Sequence, residues 1–324
     1  MRRLHAVLRC LALACAFVLP GLGWAADCPP QAQFPDPSTI PRSLRDARDR
    51  GMLWRVEQDG RTSWLYGTAH VAEREWMFPG PTVVAALRGV DSVALELNLL
   101  DPAVMAALRQ AVAARPDAPP LPPGLAGRLE AQVRAACAGP ELQAMRPEMQ
   151  VFTLLSLAAR RQGLDPAYGI DMALAGMAVG LRKPLLSLET PAQQISEMVS
   201  DDPARVAERV AAGLDHLERG DAGQVLTTLA YAWADGRLNL LENYPVWCAC
   251  VESAAERAEY ERMVDGRNPA MADAIAAQHR AGRSVFAAVG ALHMAGPGGL
   301  PALLEKKGFR VQRVAFPQGS APTR

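Results

Sequence analysis

Apolar and polar positions along the chain change period several times, and residues 284–300, SVFAAVGALHMAGPGGL, carry the plainest signal. Val285–Val289 is a short apolar run rich in β-branched and aromatic residues, which predicts a buried strand. It stops at Gly290, and His293 falls in the turn that follows. Pro297-Gly298-Gly299 then leads into LPALLEKKG, a helical pattern with Pro301 in its first turn and Gly308 as its cap. The same order recurs earlier, where Trp64–Tyr66 runs into Gly67-Thr68-Ala69-His70. Five His and 26 Gly predict about 0.4 chance copies of G-x-x-H, so the weight lies in both copies closing a strand.

Elsewhere the pattern predicts a hairpin, with Leu53–Glu57 and Thr62–Tyr66 flanking Asp59-Gly60. Further strands are expected at Ser92–Leu97, Pro184–Leu188 and Phe309–Phe316. Helices are expected at Pro81–Leu87, at Asp101–Ala114 with Asp101 as N-cap, at Leu125–Cys137, at Met145–Gln162 and after Gly169-Ile170-Asp171. Thr190-Pro191-Ala192-Gln193 fits a capping box. Residues 203–280 read as almost wholly helical, with Val206, Val210, Leu214 and Leu217 on one face. The expected fold class is therefore α/β, a mixed central sheet flanked by helices, with a large helical insertion before the His293 strand. The expected organisation is an irregular, proline-rich arm over 26–50, one domain over 51–316 that includes a helical layer at 203–280, and a disordered tail at 317–324.

Composition adds the compartment. Arg2, Arg3 and Arg9, the apolar Leu11–Leu19 and the small-x-small site Gly23-Trp24-Ala25 predict a signal peptide cleaved after Ala25. Neither Cys15 nor Cys28 follows a convincing lipobox. The whole chain has 34 basic and 34 acidic residues, and losing three Arg leaves a slight acidic excess, so no nucleic-acid partner is expected. No later apolar stretch reaches membrane-spanning length. The expected location is periplasmic or secreted. Four cysteines remain, Cys28, Cys137, Cys248 and Cys250, and an even count in an oxidising compartment favours disulfides. A ring closed within Cys248-x-Cys250 would be strained, so Cys28 and Cys137 are each expected to pair with one of the other two. A soft-metal site is the rival reading, but it lacks an accompanying His.

Glu96 near the end of an apolar strand is costly unless paired or working. Together with His70 and His293 it makes a two-His-one-carboxylate set for a divalent metal, or a base for bound water. Each imidazole alone is equally explained as satisfying a backbone carbonyl. His216 and His279, in Leu/Ala-rich helices, are expected to face solvent, and His5 lies in the signal. There is no H-E-x-x-H and no G-x-S-x-G, which argues against a zincin and an ordinary serine hydrolase. The turn at 296–299 reads as a simple tight turn, with anion binding as its sharper alternative.

YGTAH at 66–70, ALELN at 94–98, GID at 169–171, LETPAQQ at 188–194, RNPAMA at 267–272 and AVGALHMAGPGGLPALLEKKGFRV at 288–311 together resemble the TraB/GumN/PrgY family. Its animal relatives include the Tiki proteins, and the resemblance spans about residues 50–316. The signal and the Cys28-Pro29-Pro30 start resemble the exported bacterial GumN-like branch. The resemblance implies a fold similar to erythromycin esterase and the haem-binding ChaN proteins. It also implies a metal-dependent peptidase activity with His70, His293 and Glu96 as the functional set. Gly67, Asp171, Glu189, Arg267, Asn268 and Gly290 then fall at substrate-binding or ligand-supporting positions, with Arg267 a candidate for stabilising an oxyanion. The functional expectation is a periplasmic metal-dependent hydrolase acting on a peptide or protein. Its alternatives are a non-catalytic haem, metal or peptide-signal binder and a metal-free esterase.

Overall fold

Strands that read as continuous apolar runs are the ones a parallel sheet buries on both faces. In the computed structural model, which describes residues 28–317, Ser92–Leu95 (β4) and Val285–Gly290 (β7) are buried at every position. Met52–Gln58 (β1) and Arg61–Thr68 (β2) form the expected hairpin, with Gln58 opposite Arg61 and positive φ at both Asp59 and Gly60. That turn matches strand twist and needs residues tolerant of the left-handed region. Adding Leu185–Ser187 (β6) and Arg310–Arg313 (β8) gives a six-stranded sheet in the order β6-β4-β7-β2-β1-β8. β6, β4, β7 and β2 run parallel, while β1 is antiparallel to β2 and to β8. The architecture is the mixed sheet flanked by helices.

Ala72–Glu73 (β3) and Leu164–Asp165 (β5) pair as a separate antiparallel ladder, which two-residue strands cannot announce by period. Asp101 caps Pro102–Val112 through Ala103 N–H, and Thr190 with Gln193 forms the full capping box of Pro191–Met198. The main core lies on the sheet. A second, smaller core joins Leu129 and Val133, Val151 and Leu154, and Val210 and Leu214 from three helices. Gly213 permits that crossing, since a Cβ there would stand 2.2 Å from Val151 Cγ1. The helical stretch after residue 203 thus serves both cores, with Asn268–Arg280 packed on the sheet side.

Several expectations are corrected. The disulfides pair Cys28 with Cys137 and Cys248 with Cys250, not across the two groups. Ala249 adopts φ +50, which folds the chain back and brings the two Cα atoms of the short ring to 5.1 Å. The arm is not irregular throughout, as Pro37–Thr39 and Ile40–Asp46 are helical. His279 is only 2% exposed, with Nε2 donating to Gln58 O at 2.8 Å and Nδ1 3.4 Å from Ser63 Oγ. It fastens the hairpin to its helix. His216 is half-buried against Asp221 at 3.0 Å rather than free in solvent. The expected signal and residues 318–324 of the expected tail lie outside the described residues.

Candidate functional site

The parallel strands β2, β4, β6 and β7 end at one edge of the sheet, where open α/β sheets place their ligands. His70 follows β2, Glu96 follows β4, Glu189 follows β6 and His293 follows β7. The backbones of Glu189 and Glu96 are joined by an N–H to O bond of 3.1 Å. Residues far apart in sequence are therefore neighbours because four strand ends are.

His70 donates from Nδ1 to Asp171 Oδ2 at 2.7 Å, and Thr68 Oγ1 donates to Asp171 Oδ1 at 2.7 Å. A carboxylate only accepts, so Nδ1 carries a proton and Nε2 is the nitrogen offered to the cleft. The GID motif builds this contact. Gly169 lets its backbone lie against His70, since a Cβ would meet His70 O at 2.9 Å, and Ile170 N–H donates to Ala69 O. Although 62% of the side chain is exposed, the Asp171 charge raises the His70 pKa to about 9.

His293 sits in the short turn Ala291–Met294 and is buried. Asn268 donates from Nδ2 to Gly298 O, so its Oδ1 accepts from His293 Nδ1 at 2.7 Å. Nε2 of this ring then accepts from Arg267 Nη1 at 3.3 Å. Burial first, with Arg267 and His70 adding to it, lowers the His293 pKa to about 4. Gly299 serves this packing, as a Cβ there would strike the Met294 backbone at 2.8 Å.

Glu96 Oε1 accepts from Gly290 N–H at 2.8 Å and lies 3.7 Å from His70 Nε2. Its Oε2 accepts from Gln194 Nε2 at 3.1 Å and from Arg267 Nη2 at 2.5 Å. Burial opposes ionisation here, but His70, His293, Arg267 and the Gly290 amide override it and hold the pKa at about 2. Arg267 also makes a two-pronged pair with Glu189 and donates from Nη1 to Met263 O. Despite its burial, these carboxylates keep the guanidinium firmly charged. It stands just after a π-turn, Glu261–Asp265. All three of its nitrogens have partners, so it positions Glu96 rather than presenting a free oxyanion donor.

Gly290 is the centre of the arrangement. A Cβ there would lie 3.0 Å from His70 Nε2, 3.2 Å from Glu96 Oε1 and 3.6 Å from His293 Cδ2. The bare glycine keeps open the space on which all three converge. Gly67 is different: a Cβ would meet Met294 and Ala291, so it packs the turn that carries His293. Two further residues join the site that the sequence pattern does not single out. Thr68 lies two positions before His70, and Gln194 is the second Gln of LETPAQQ, its neighbour Gln193 being spent on the helix cap.

In donor type the set suits a divalent ion, with each ring pinned at Nδ1 by an acceptor as metal-binding imidazoles are. Charge agrees: Glu96, Glu189 and Asp171 face one guanidinium, an excess of two negative charges when both rings are neutral. The ligand shell is not closed. Among the described residues no three His, Cys, Asp or Glu side chains are disposed to hold a metal ion, and Arg267 stands against His293 Nε2.

Comparison with curated proteins and with solved structures returned no match. A family model does match over residues 52–313, a span that holds every strand and every side chain of the site. By that match, and with its motifs gathered at one edge of the sheet, the chain belongs to the TraB/PrgY/gumN family.

Proposed function

We propose that this edge of the sheet is the active site of an exported metal-dependent hydrolase acting on peptides. The observation that carries the reading is the convergence of His70 Nε2, Glu96 Oε1 and the His293 ring on the space left by Gly290. A divalent ion held by His70, His293 and Glu96 would polarise the scissile carbonyl and ease deprotonation of water. Asp171 fixes the His70 tautomer, Asn268 fixes that of His293, and Thr68 braces Asp171. Arg267 and Gln194 hold Glu96 Oε2, which leaves Oε1 facing the cleft. At neutral pH His70 Nε2 bears a proton that an ion must displace, so binding should strengthen as pH rises. Export is supported by the basic, apolar and small-residue order of the first 25 residues and by two disulfides.

A second reading is metal-free hydrolysis, favoured by Arg267 as a built-in cation and by protonated His70 as a proton donor 3.7 Å from Glu96. Elemental analysis of tag-free protein, with turnover of a peptide library before and after chelation, separates them. Stoichiometric metal and chelator-sensitive cleavage are expected. Cleavage indifferent to chelation would select the metal-free reading, and metal, haem or peptide binding without cleavage would make the cleft a binding module.

A further inference from the structure

A cavity lies one helix away from the site. The helix Pro191–Met198 carries Gln194, which holds Glu96, and also Pro191 and Ile195, which line a cavity of about 420 Å³. Its other wall is the helix Pro102–Val112, with Gln110 and, just beyond, Arg115; Arg146 and Asp201 complete it. Both helices follow strands whose ends supply Glu96 and Glu189, so the cavity adjoins the same edge of the sheet. Its volume falls in the range of small-molecule sites.

The chemistry of its walls is specific. Arg146 is buried and anchored by Glu148 Oε1 at 3.0 Å and by Ser200 O. Arg115 Nη1 and Arg146 Nη2 both donate to one oxygen, Asp201 Oδ1, at 2.8 and 3.1 Å. Asp201 is itself an exposed surface side chain. Arg115 Nε is buried with no partner. A buried guanidinium N–H without an acceptor is costly and needs a reason. Two arginines thus already grip a carboxylate that is free to leave, with a donor to spare.

We infer that this cavity binds the C-terminal carboxylate of a short peptide, which displaces Asp201 from Arg115 and Arg146. The paired guanidinium donors suit a planar carboxylate, and the apolar Pro191 and Ile195 suit the adjoining residue. As a carboxylate site the inference stands alone. As the subsite that selects peptide ends for cleavage beside Glu96, it rests on the hydrolase reading.

The test is calorimetric binding of N-acetyl-trialanine, as free acid and as C-terminal amide, to the full mature chain in chelator. The acid should bind about tenfold more tightly than the amide, the worth of a charged hydrogen-bond set. Arg115→Ala should abolish that preference, and Asp201→Asn should strengthen acid binding by removing the competitor. Arg115 and Asp201 both reach the surface, so neither change threatens folding. Equal binding of acid and amide, a preference that survives Arg115→Ala, or no gain in Asp201→Asn overturns the inference. Cleavage assays run separately: acid-selective binding without cleavage keeps the carboxylate site and removes only the hydrolase reading.

Discussion

Gly290→Ala tests the central geometric claim with a single methyl group. The backbone at Gly290 has φ −47 and ψ 137, which alanine adopts without strain. The new Cβ would stand 3.0 Å from His70 Nε2 and 3.2 Å from Glu96 Oε1. Ordinary contact is about 3.5 Å or more, so each must retreat by roughly 0.3–0.5 Å. His70 can swing, since its ring is largely exposed, but Glu96 is held by Gly290 N–H, Gln194 and Arg267. Overpacking costs about 1–3 kcal/mol, and replacing a glycine at a compatible φ returns about 0.4–1. The net loss of stability should be about 0–2.6 kcal/mol, leaving a cooperative melt. Ion affinity should suffer far more. With the shared space filled and two donors displaced, a loss of about 100-fold, or about 2.7 kcal/mol, is expected. The assay is titration of tag-free protein with Zn²⁺, Co²⁺ and Mn²⁺, with thermal melts alongside. Gly124→Ala is the control, because a Cβ there meets nothing within 4 Å. A Gly290→Ala protein that binds metal as tightly as the parent would refute the convergence argument.

Further outcomes are expected. Asp171→Asn should return the His70 pKa from about 9 toward its ordinary value, read by NMR titration of the ring. In the parent, the raised His70 pKa contributes stability below pH about 6.5 that fades as pH climbs to about 9, by under about 1 kcal/mol for so exposed a ring. The lowered Glu96 pKa acts oppositely, its contribution fading as pH falls from 4.5 to about 2; urea melts across pH read both. His279→Ala should cost about 2–3 kcal/mol by orphaning Gln58 O and leaving a cavity, with metal binding unchanged; altered metal binding would contradict its placement. Peptide mapping of unreduced protein should find Cys248 linked to Cys250. Serine at both should destabilise far less than serine at Cys28 and Cys137, whose sequence separation of 109 implies about 5 kcal/mol on the chain-entropy model.

Much of the fold is legible in local pattern because the interactions concerned are local. The β1–β2 hairpin follows from Asp59-Gly60 between alternating runs, and β4 and β7 from unbroken apolar stretches that only a sheet buried on both faces requires. Asp101 and the Thr190–Gln193 box name their helix starts for the same reason: cap and helix are one turn apart. His70, His293 and Glu96 could be singled out by residue type at a strand end, where an ionisable group must be explained. What the pattern could not settle depends on groups brought together across the chain. His279 sits in a helix that reads as solvated, and only a carbonyl 221 residues away makes it a buried fastening. The cysteines offered three pairings, and the left-handed turn at Ala249 decided among them. Gln194 differs from Gln193 by one step of helix rotation, which sends one to the cap and the other to Glu96. Arg267 belongs to the site through Glu96 and Glu189, partners 171 and 78 residues away that no periodicity anticipates. Burial, pairing and charge are properties of distance, and distance between remote residues exists only once the strands have been ordered.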